Sequence, residues 1–206
     1  MPESWSQGRA TFGGLTAALM FERMEKLVAE GRAMRSLQVS FVGPVEPEVP
    51  ASFEAEILRE GKAVSQVQGR IVQKGETRVV CLASFGGDRD SQVQVDALPA
   101  PEANPVSQCP GLDYIEGVTP EFIRQIEMRW AFGNLPFSGK GGRELGGWMQ
   151  FRTPPDTFSD AHIIALVDAW TPEVLPSLKQ PVEPLAPIHP LHPPKARRAR
   201  GRGGRA

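Results

Sequence analysis

At 206 residues, the chain is long enough for one large or two small domains, and its formal net charge of −1 excludes a strongly basic or acidic binding protein. Two cysteines are too few for a disulfide framework, and the start carries no signal-peptide pattern, so we expect a cytoplasmic protein. No apolar run approaches the roughly 20 residues that cross a bilayer, so we expect no membrane partner.

The first predicted element is a helix over residues 12–30, which opens with the pair Gly13 and Gly14. Apolar side chains recur through it at helical spacing: Leu15, Ala18, Leu19, Met24, Leu27 and Val28. Charged residues fall on the opposite face, so we expect the helix to be half buried. Before it, the polar residues 1–11 form no convincing strand.

Four strands are predicted after this helix. Their side chains alternate between apolar and polar or are mostly apolar, over residues 36–42, 51–60, 63–73 and 77–86. The last strand is so apolar that it is either buried on both faces or central in its sheet. One helix followed by a meander of antiparallel strands predicts a sheet wrapped around that helix.

A second unit is predicted beyond a linker at residues 88–118, which are rich in proline, acidic and small residues and show no periodicity. Residues 126–132 alternate as a strand, and residues 148–151 form another after a glycine-rich loop. A mostly apolar helix follows, with Asp156 as its predicted cap, and prolines end it at residues 172 and 176.

Three side chains in this second unit invite a functional interpretation that we do not favour. We expect Trp130 and Trp148 to lie in the core rather than to form a substrate platform, and His162 to be a surface residue rather than a base.

Residues 179–206 are rich in proline, then in arginine and glycine, so we predict a disordered tail. A solvated tail is a better interpretation of its arginines than a phosphate site.

The order and spacing of five segments resemble the double hotdog acyl-CoA thioesterases, those similar to acyl-CoA thioesterase II. The segments are T-F-G-G-L-T-A-A-L at 11–19, R-S-L-Q-V-S-F-V-G-P-V at 35–45, I-L-R-E-G-K-A at 57–63, V-V-C-L-A-S-F at 79–85 and A-L-V-D-A-W-T-P-E-V-L-P at 165–176. The resemblance implies an α+β fold in which each of two tandem antiparallel sheets curls around one helix. The first hotdog domain would occupy residues 1–87 and a partial second one residues 119–178.

The resemblance also implies an activity: hydrolysis of the thioester of acyl-CoA to a free fatty acid and CoA, without a cofactor or a metal. The family's catalytic aspartate falls on Asp168, and the thioester would sit near a helix N-terminus, at Phe12, Gly13 and Gly14. Backbone N–H groups there can stabilise negative charge on the carbonyl oxygen, and glycines leave room for a ligand. Simple turn chemistry would also explain the glycines, and Asp168 could lie on an exposed helix face.

One departure from the family pattern lies at the end of the chain. The family's second hotdog continues after its helix with strands that carry a threonine and a glutamine acting with the aspartate, whereas residues 177–206 hold no alternating apolar run. We therefore expect an incomplete second unit, from a truncated or frameshifted gene, with weak or absent hydrolysis. An apolar helix face at Ile163, Ile164 and Val167 would then need another partner, which favours a homo-oligomer.

Two other function classes stay open. The chain could be a non-catalytic hotdog protein that binds acyl-CoA or a protein partner. Its arginine-rich tail could bind nucleic acid, which the overall charge disfavours. A hotdog dehydratase fits less well, because no histidine lies near an acidic residue in the loop that opens the first helix.

Overall fold

The start of the chain forms a small hairpin that leads into the first helix. The structure, a computed structural model, describes residues 1–142 and 144–180. The hairpin consists of β1 (Ser6–Gln7) and β2 (Ala10–Thr11), and α1 (Gly13–Glu25) follows. The prediction of no strand before residue 12 is therefore wrong. Strands of two residues are too short to produce an alternating pattern in the sequence.

A four-stranded antiparallel sheet wraps around α1. Its strands are β3 (Ala33–Phe41), β4 (Ser52–Glu60), β5 (Val64–Gln73) and β6 (Glu76–Gly86), in the order β3-β6-β5-β4. All four predicted strands are confirmed, with small shifts at their ends. The last of these strands was predicted to be either buried on both faces or central in its sheet. β6 is central, but it is not buried on both faces, because burial alternates along it and Leu82 is 41% exposed.

The helix α1 is shorter and more deeply enclosed than its sequence pattern indicates. It ends at Glu25, and its buried residues are Gly14, Thr16, Ala17, Ala18, Met20, Phe21 and Met24. The predicted stripe is right at Ala18 and Met24 but wrong at Leu15 and Leu19, which are only half-buried. The sheet covers one side of α1 and a second helix contacts another, so the buried arc is wider than one stripe.

The second part of the chain contains β7 (Ile126–Phe132), β8 (Gly146–Phe151) and α2 (Asp160–Val167). β7 and β8 pair antiparallel, as predicted from the alternation of their side chains. Ser159, rather than Asp156, is the cap of α2. The N–H groups at the start of a helix have no carbonyl partner within it. Here the Ser159 N–H donates to Nδ1 of His162 at 3.1 Å, so the first turn supplies its own partner.

The tryptophans of this region differ in their surroundings. Trp130 is 7% exposed and packs edge-on against Trp170, with ring centroids 5.1 Å apart, which confirms its place in the core. Trp148 is 45% exposed, so that prediction is wrong. β8 is an outer strand whose solvent face carries this ring, and the indole N–H donates to the Asn104 carbonyl at 2.9 Å.

Part of the proline-rich stretch packs on β7. The Leu112 N–H donates to the Met128 carbonyl, and the Trp130 N–H donates to the Pro110 carbonyl, both at 2.9 Å. Beyond α2, a short 3-10 helix at Leu175–Ser177 ends the described elements. The predicted tail lies, from residue 181 onward, outside the described residues.

Two cores position the rest of the molecule. One lies between α1 and the four-stranded sheet, and it also receives Ile164 of α2. The other joins the start of α1, β7 and the end of α2, and in it Phe12 stacks on Phe122 with ring centroids 4.1 Å apart. No helix in the described ranges is long and apolar enough to cross a membrane.

Candidate functional site

The N-terminus of α1 meets the C-terminal end of α2. Gly13 and Gly14 open α1, and Asp168 directly follows α2. A Cβ atom placed on Gly13 would lie 2.6 Å from Oδ2 of Asp168, and one placed on Gly14 would lie 2.5 Å from the Ala165 carbonyl oxygen. Real Cβ atoms do not come so close. Position 14 requires glycine because the clash is with a backbone oxygen, whereas a side chain at position 13 would have to displace the Asp168 carboxyl group and the Phe41 ring. The structure thus brings together Asp168 and the two glycines that the sequence singled out.

The glycine pair makes room for other atoms of the protein. The space above Gly14 is filled by the backbone of α2 at Ala165 and by the ring of Phe12. Glycine at position 14 therefore allows the two helices to approach each other. The sequence analysis expected it to leave room for a ligand and did not predict this contact.

Phe12 holds the first turn of α1 in place. Its ring is 1% exposed and lies between Phe122 and Trp5, whose ring centroid is 6.3 Å away. The Phe12 N–H donates to the Trp5 carbonyl at 2.8 Å. Because both its side chain and its N–H group are engaged by protein, Phe12 anchors the helix start.

An open groove with a volume of about 340 Å³ runs beside the first turn of α1. Its walls come from the β1–β2 hairpin, the start of α1, residues 41–45 and Asp168. On one side, Phe41 is 55% exposed and Val42 is 62% exposed. The groove therefore has a polar end, with a carboxyl group and a helix N-terminus, next to an apolar wall.

The carboxyl group of Asp168 is partly withdrawn from water. This desolvation raises the pKa of Asp168 above the ordinary aspartate value, and an interaction with the Gly14 N–H opposes the effect without cancelling it. The residue as a whole remains exposed, so water can reach it from the groove. A carboxylate with a raised pKa binds a proton more readily and is a better general base near neutral pH.

The sequence reasoning missed three side chains of the groove: Thr11, Thr16 and Phe41. Thr16 is 1% exposed, and its hydroxyl donates to the Gly13 carbonyl at 2.8 Å. A threonine inside the apolar face of a helix is a signal that could have marked it. The alternation of residues 36–42 predicts Phe41 on the same face as Leu37 and Val39, the face that packs on the helix. Its ring instead covers the Gly13 backbone, with Cζ 2.9 Å from the position of a Cβ there.

Comparison with protein families gives two matches along the chain. Residues 1–86 match the acyl-CoA thioesterase N-terminal domain, and residues 96–190 match the acyl-CoA thioesterase C-terminal domain. The acyl-CoA thioesterase 2 of Haemophilus influenzae is 27% identical over 165 residues, which are 75% of this chain and 57% of that protein. Human acyl-coenzyme A thioesterase 8 is 28% identical over 102 residues, which are 48% of this chain and 32% of that protein.

A solved structure shows the same fold. A protein with the hot dog fold from Alicyclobacillus acidocaldarius superposes with a TM-score of 0.73 at 23% identity, covering 89% of this chain and 67% of that one. The architecture is therefore an α+β hotdog. The chain spans 57% of the length of the bacterial relative and 32% of the human one.

Proposed function

This chain belongs to the acyl-CoA thioesterase family, and from that premise we propose that it hydrolyses the thioester of acyl-CoA to a free fatty acid and CoA. The observation that carries the proposal is the position of the Asp168 carboxyl group against the first turn of α1 at Gly13. We assign the role of base to Asp168 and that of oxyanion donors to N–H groups in the first turn of α1, which line the same groove. Hydrolysis of a thioester needs both.

In the proposed mechanism, Asp168 orients a water molecule and accepts its proton as the water oxygen attacks the carbonyl carbon. Negative charge then builds on the carbonyl oxygen. The first N–H groups of α1 have no carbonyl partner within the helix, and the positive end of the helix dipole lies there, so this turn stabilises the oxyanion. When the carbonyl re-forms, the carbon–sulfur bond breaks, and the CoA sulfur leaves with the proton that Asp168 took from the water, which returns Asp168 to its charged form.

The apolar side of the groove suits the apolar parts of such a substrate. Phe41 and Val42 expose their side chains next to Asp168, where contact with a hydrocarbon chain would remove apolar surface from water. Val45, 3% exposed, closes the base of this wall. We place the thioester at the helix start, with the acyl chain along this wall.

The organisation and setting of the protein belong to the same proposal. We divide the chain into a hotdog domain at residues 1–87, a linker at 88–118 and a second unit at 119–178, with the tail beyond it. We propose that it works in the cytoplasm on free acyl-CoA. Association with a second copy is supported by the exposure of Ile163 and Val167, apolar side chains of α2.

The test is thiol release from acyl-CoAs of increasing chain length, measured on the wild-type chain and on two aspartate variants. Wild-type release should be slow, because residues 177–206 hold no alternating apolar run for the strands that carry the family's threonine and glutamine. Asp168→Asn keeps the size of the side chain and removes its charge, so whatever rate the wild type shows should fall about 10²- to 10⁴-fold. Asp156→Asn changes an exposed carboxylate outside the groove, and its rate should stay unchanged. Both variants should bind a non-hydrolysable acyl-CoA analogue as the wild type does.

Two outcomes would decide against the proposal in different ways. Binding of the analogue by the wild type without any thiol release would favour the non-catalytic acyl-CoA-binding protein. Rapid thiol release that is unchanged by Asp168→Asn would show that the chemistry lies elsewhere.

A further inference from the structure

The ring of Phe41 borders the groove, and the sheet fixes the backbone that carries it. Phe41 is the last residue of β3, where it pairs with the fully buried Val79 of β6. The next two N–H groups, of Val42 and Gly43, both donate to the Arg78 carbonyl, at 2.8 and 3.0 Å. Two residues thus oppose one, which is the pattern of a β-bulge and bends the strand. The backbone on both sides of Phe41 is therefore held by β6.

The Phe41 ring lies beside the carboxyl group of the candidate base. Cζ of Phe41 lies 2.9 Å, and Oδ2 of Asp168 lies 2.6 Å, from the point where Gly13 would carry a Cβ atom. The ring and the carboxyl group thus border the same small space above the first turn of α1. Because Phe41 remains 55% exposed, the free part of its ring is open to a ligand in the groove.

The chemistry of hydrolysis restricts where the thioester carbonyl can lie. A base holds the water that it activates at about 2.6–3.2 Å, and that water must reach the carbonyl carbon. The carbonyl group therefore lies one water molecule away from the Asp168 carboxyl group, with its oxygen at the N–H groups of α1. Since the acyl chain runs along the apolar wall, the acyl carbon next to the carbonyl meets the Phe41 ring.

We propose that Phe41 determines specificity, because its ring admits an unbranched acyl chain and excludes a substituent on the carbon next to the carbonyl. The inference rests on the proposed function and narrows the substrates to acyl-CoAs that carry two hydrogens on that carbon. A methyl branch there would collide with the ring or displace the carbonyl group from Asp168. Because the groove is open, substituents farther along the chain can point to solvent and meet no such limit.

The experiment compares two CoA ligands that cannot be hydrolysed. Both are ketones in which a methylene group replaces the thioester sulfur, and the second carries a methyl branch on the acyl carbon next to the carbonyl. Calorimetry gives their dissociation constants. The wild type should bind the branched ketone about 10-fold more weakly, the size of one misplaced methyl group in an apolar site. For Phe41→Ala, the two dissociation constants should become nearly equal.

Two further variants separate this role from a general loss of apolar surface. Val42→Ala shortens a neighbouring side chain that is 62% exposed, and the nearest atoms to the space above Gly13 belong to Phe41 and Asp168 rather than to Val42. This variant should weaken both ketones alike and keep their ratio. Phe41→Leu keeps a smaller apolar side chain, so its ratio should lie between those of the wild type and Phe41→Ala. It also provides the test if the alanine variant does not fold.

Equal binding of the two ketones by the wild type, or a preference that survives in Phe41→Ala, would overturn the inference, because the ring then does not border the acyl carbon. Failure of the wild type to bind either ketone would overturn it as well. Failure of the proposed function alone would look different. In that case the wild type releases no thiol, while it still prefers the unbranched ketone and Phe41→Ala loses that preference.

Discussion

The two helices of this protein differ in how the fold uses their apolar residues. α1 has Met20, Phe21 and Met24 fully buried beneath a four-stranded sheet. α2 reads D-A-H-I-I-A-L-V and is the more apolar of the two, yet its Ile163 is 49% exposed and its Val167 is 66% exposed. The sheet around a helix, rather than the composition of the helix, therefore decides how much of its apolar surface is buried.

The two helices contact each other where α1 begins and α2 ends. Gly14 packs on the Ala165 carbonyl, and Gly13 faces the Asp168 carboxyl group. The contact depends on missing side chains in α1 and on a polar residue at the end of α2. The candidate site is therefore part of the interface between the helices.

The largest expected effect separates the two helices by stability. Phe21→Ala should lower the free energy of unfolding by about 3–5 kcal/mol, because a fully buried ring stacked on Phe85 leaves a cavity. Ile163→Ala removes a half-exposed side chain and should change it by no more than about 0.5 kcal/mol. Denaturation with urea measures both. A similar loss in the two variants would mean that the outer face of α2 is covered in solution.

A second, smaller effect tests the contact between the helices. Gly14→Ala should destabilise the protein by about 1–3 kcal/mol, because its Cβ would meet the backbone oxygen of Ala165. The loss should appear although alanine is favoured over glycine in a helix by up to about 1 kcal/mol. Gly87→Ala is the control, since its Cβ would have only one neighbour, at 3.9 Å, and its effect should stay within about 0.5 kcal/mol. A stabilised Gly14→Ala protein would contradict the close approach of α2.

The smallest effect concerns the charge at the end of α2. Desolvation raises the pKa of Asp168, so the folded state binds this proton more tightly than the unfolded chain does. The stability that Asp168 contributes is therefore present below the ordinary aspartate pKa and is lost as the pH rises through its folded pKa. Melting temperatures across pH should show Asp168→Asn equal to the wild type in acid and slightly more stable at neutral pH. A wild type that is the more stable at neutral pH would reverse the sign of the shift.

Much of the fold could be predicted from local patterns. β7 alternates apolar and polar side chains from Ile126 to Phe132, and its bounds were predicted correctly. The four strands around α1 were found in the same way, because side chains of a strand point alternately to its two faces. Position 156 shows the limit of such patterns. Aspartate and serine are both good caps, and only the hydrogen bond between Ser159 and His162 selects one.

The candidate site was predicted only in part. The family resemblance pointed to Asp168 and to the glycine pair, and the structure places these residues together. Thr11 and Phe41 were missed because their roles depend on neighbours that are distant in the sequence. Thr11 is held by Val45, and Phe41 reaches Gly13 from the end of β3. No periodicity within one element reports such contacts.

The order of the elements, the inward faces of the central strands and the glycines that start α1 could all be predicted, because they follow from the spacing of side chains along one segment. Which apolar residues of α1 and α2 are buried, and which side chains meet in the groove, depended on the packing of distant segments. Burial and hydrogen bonding are relations between segments, and folding sets them by bringing residues such as Gly13 and Asp168 together from opposite ends of the described chain.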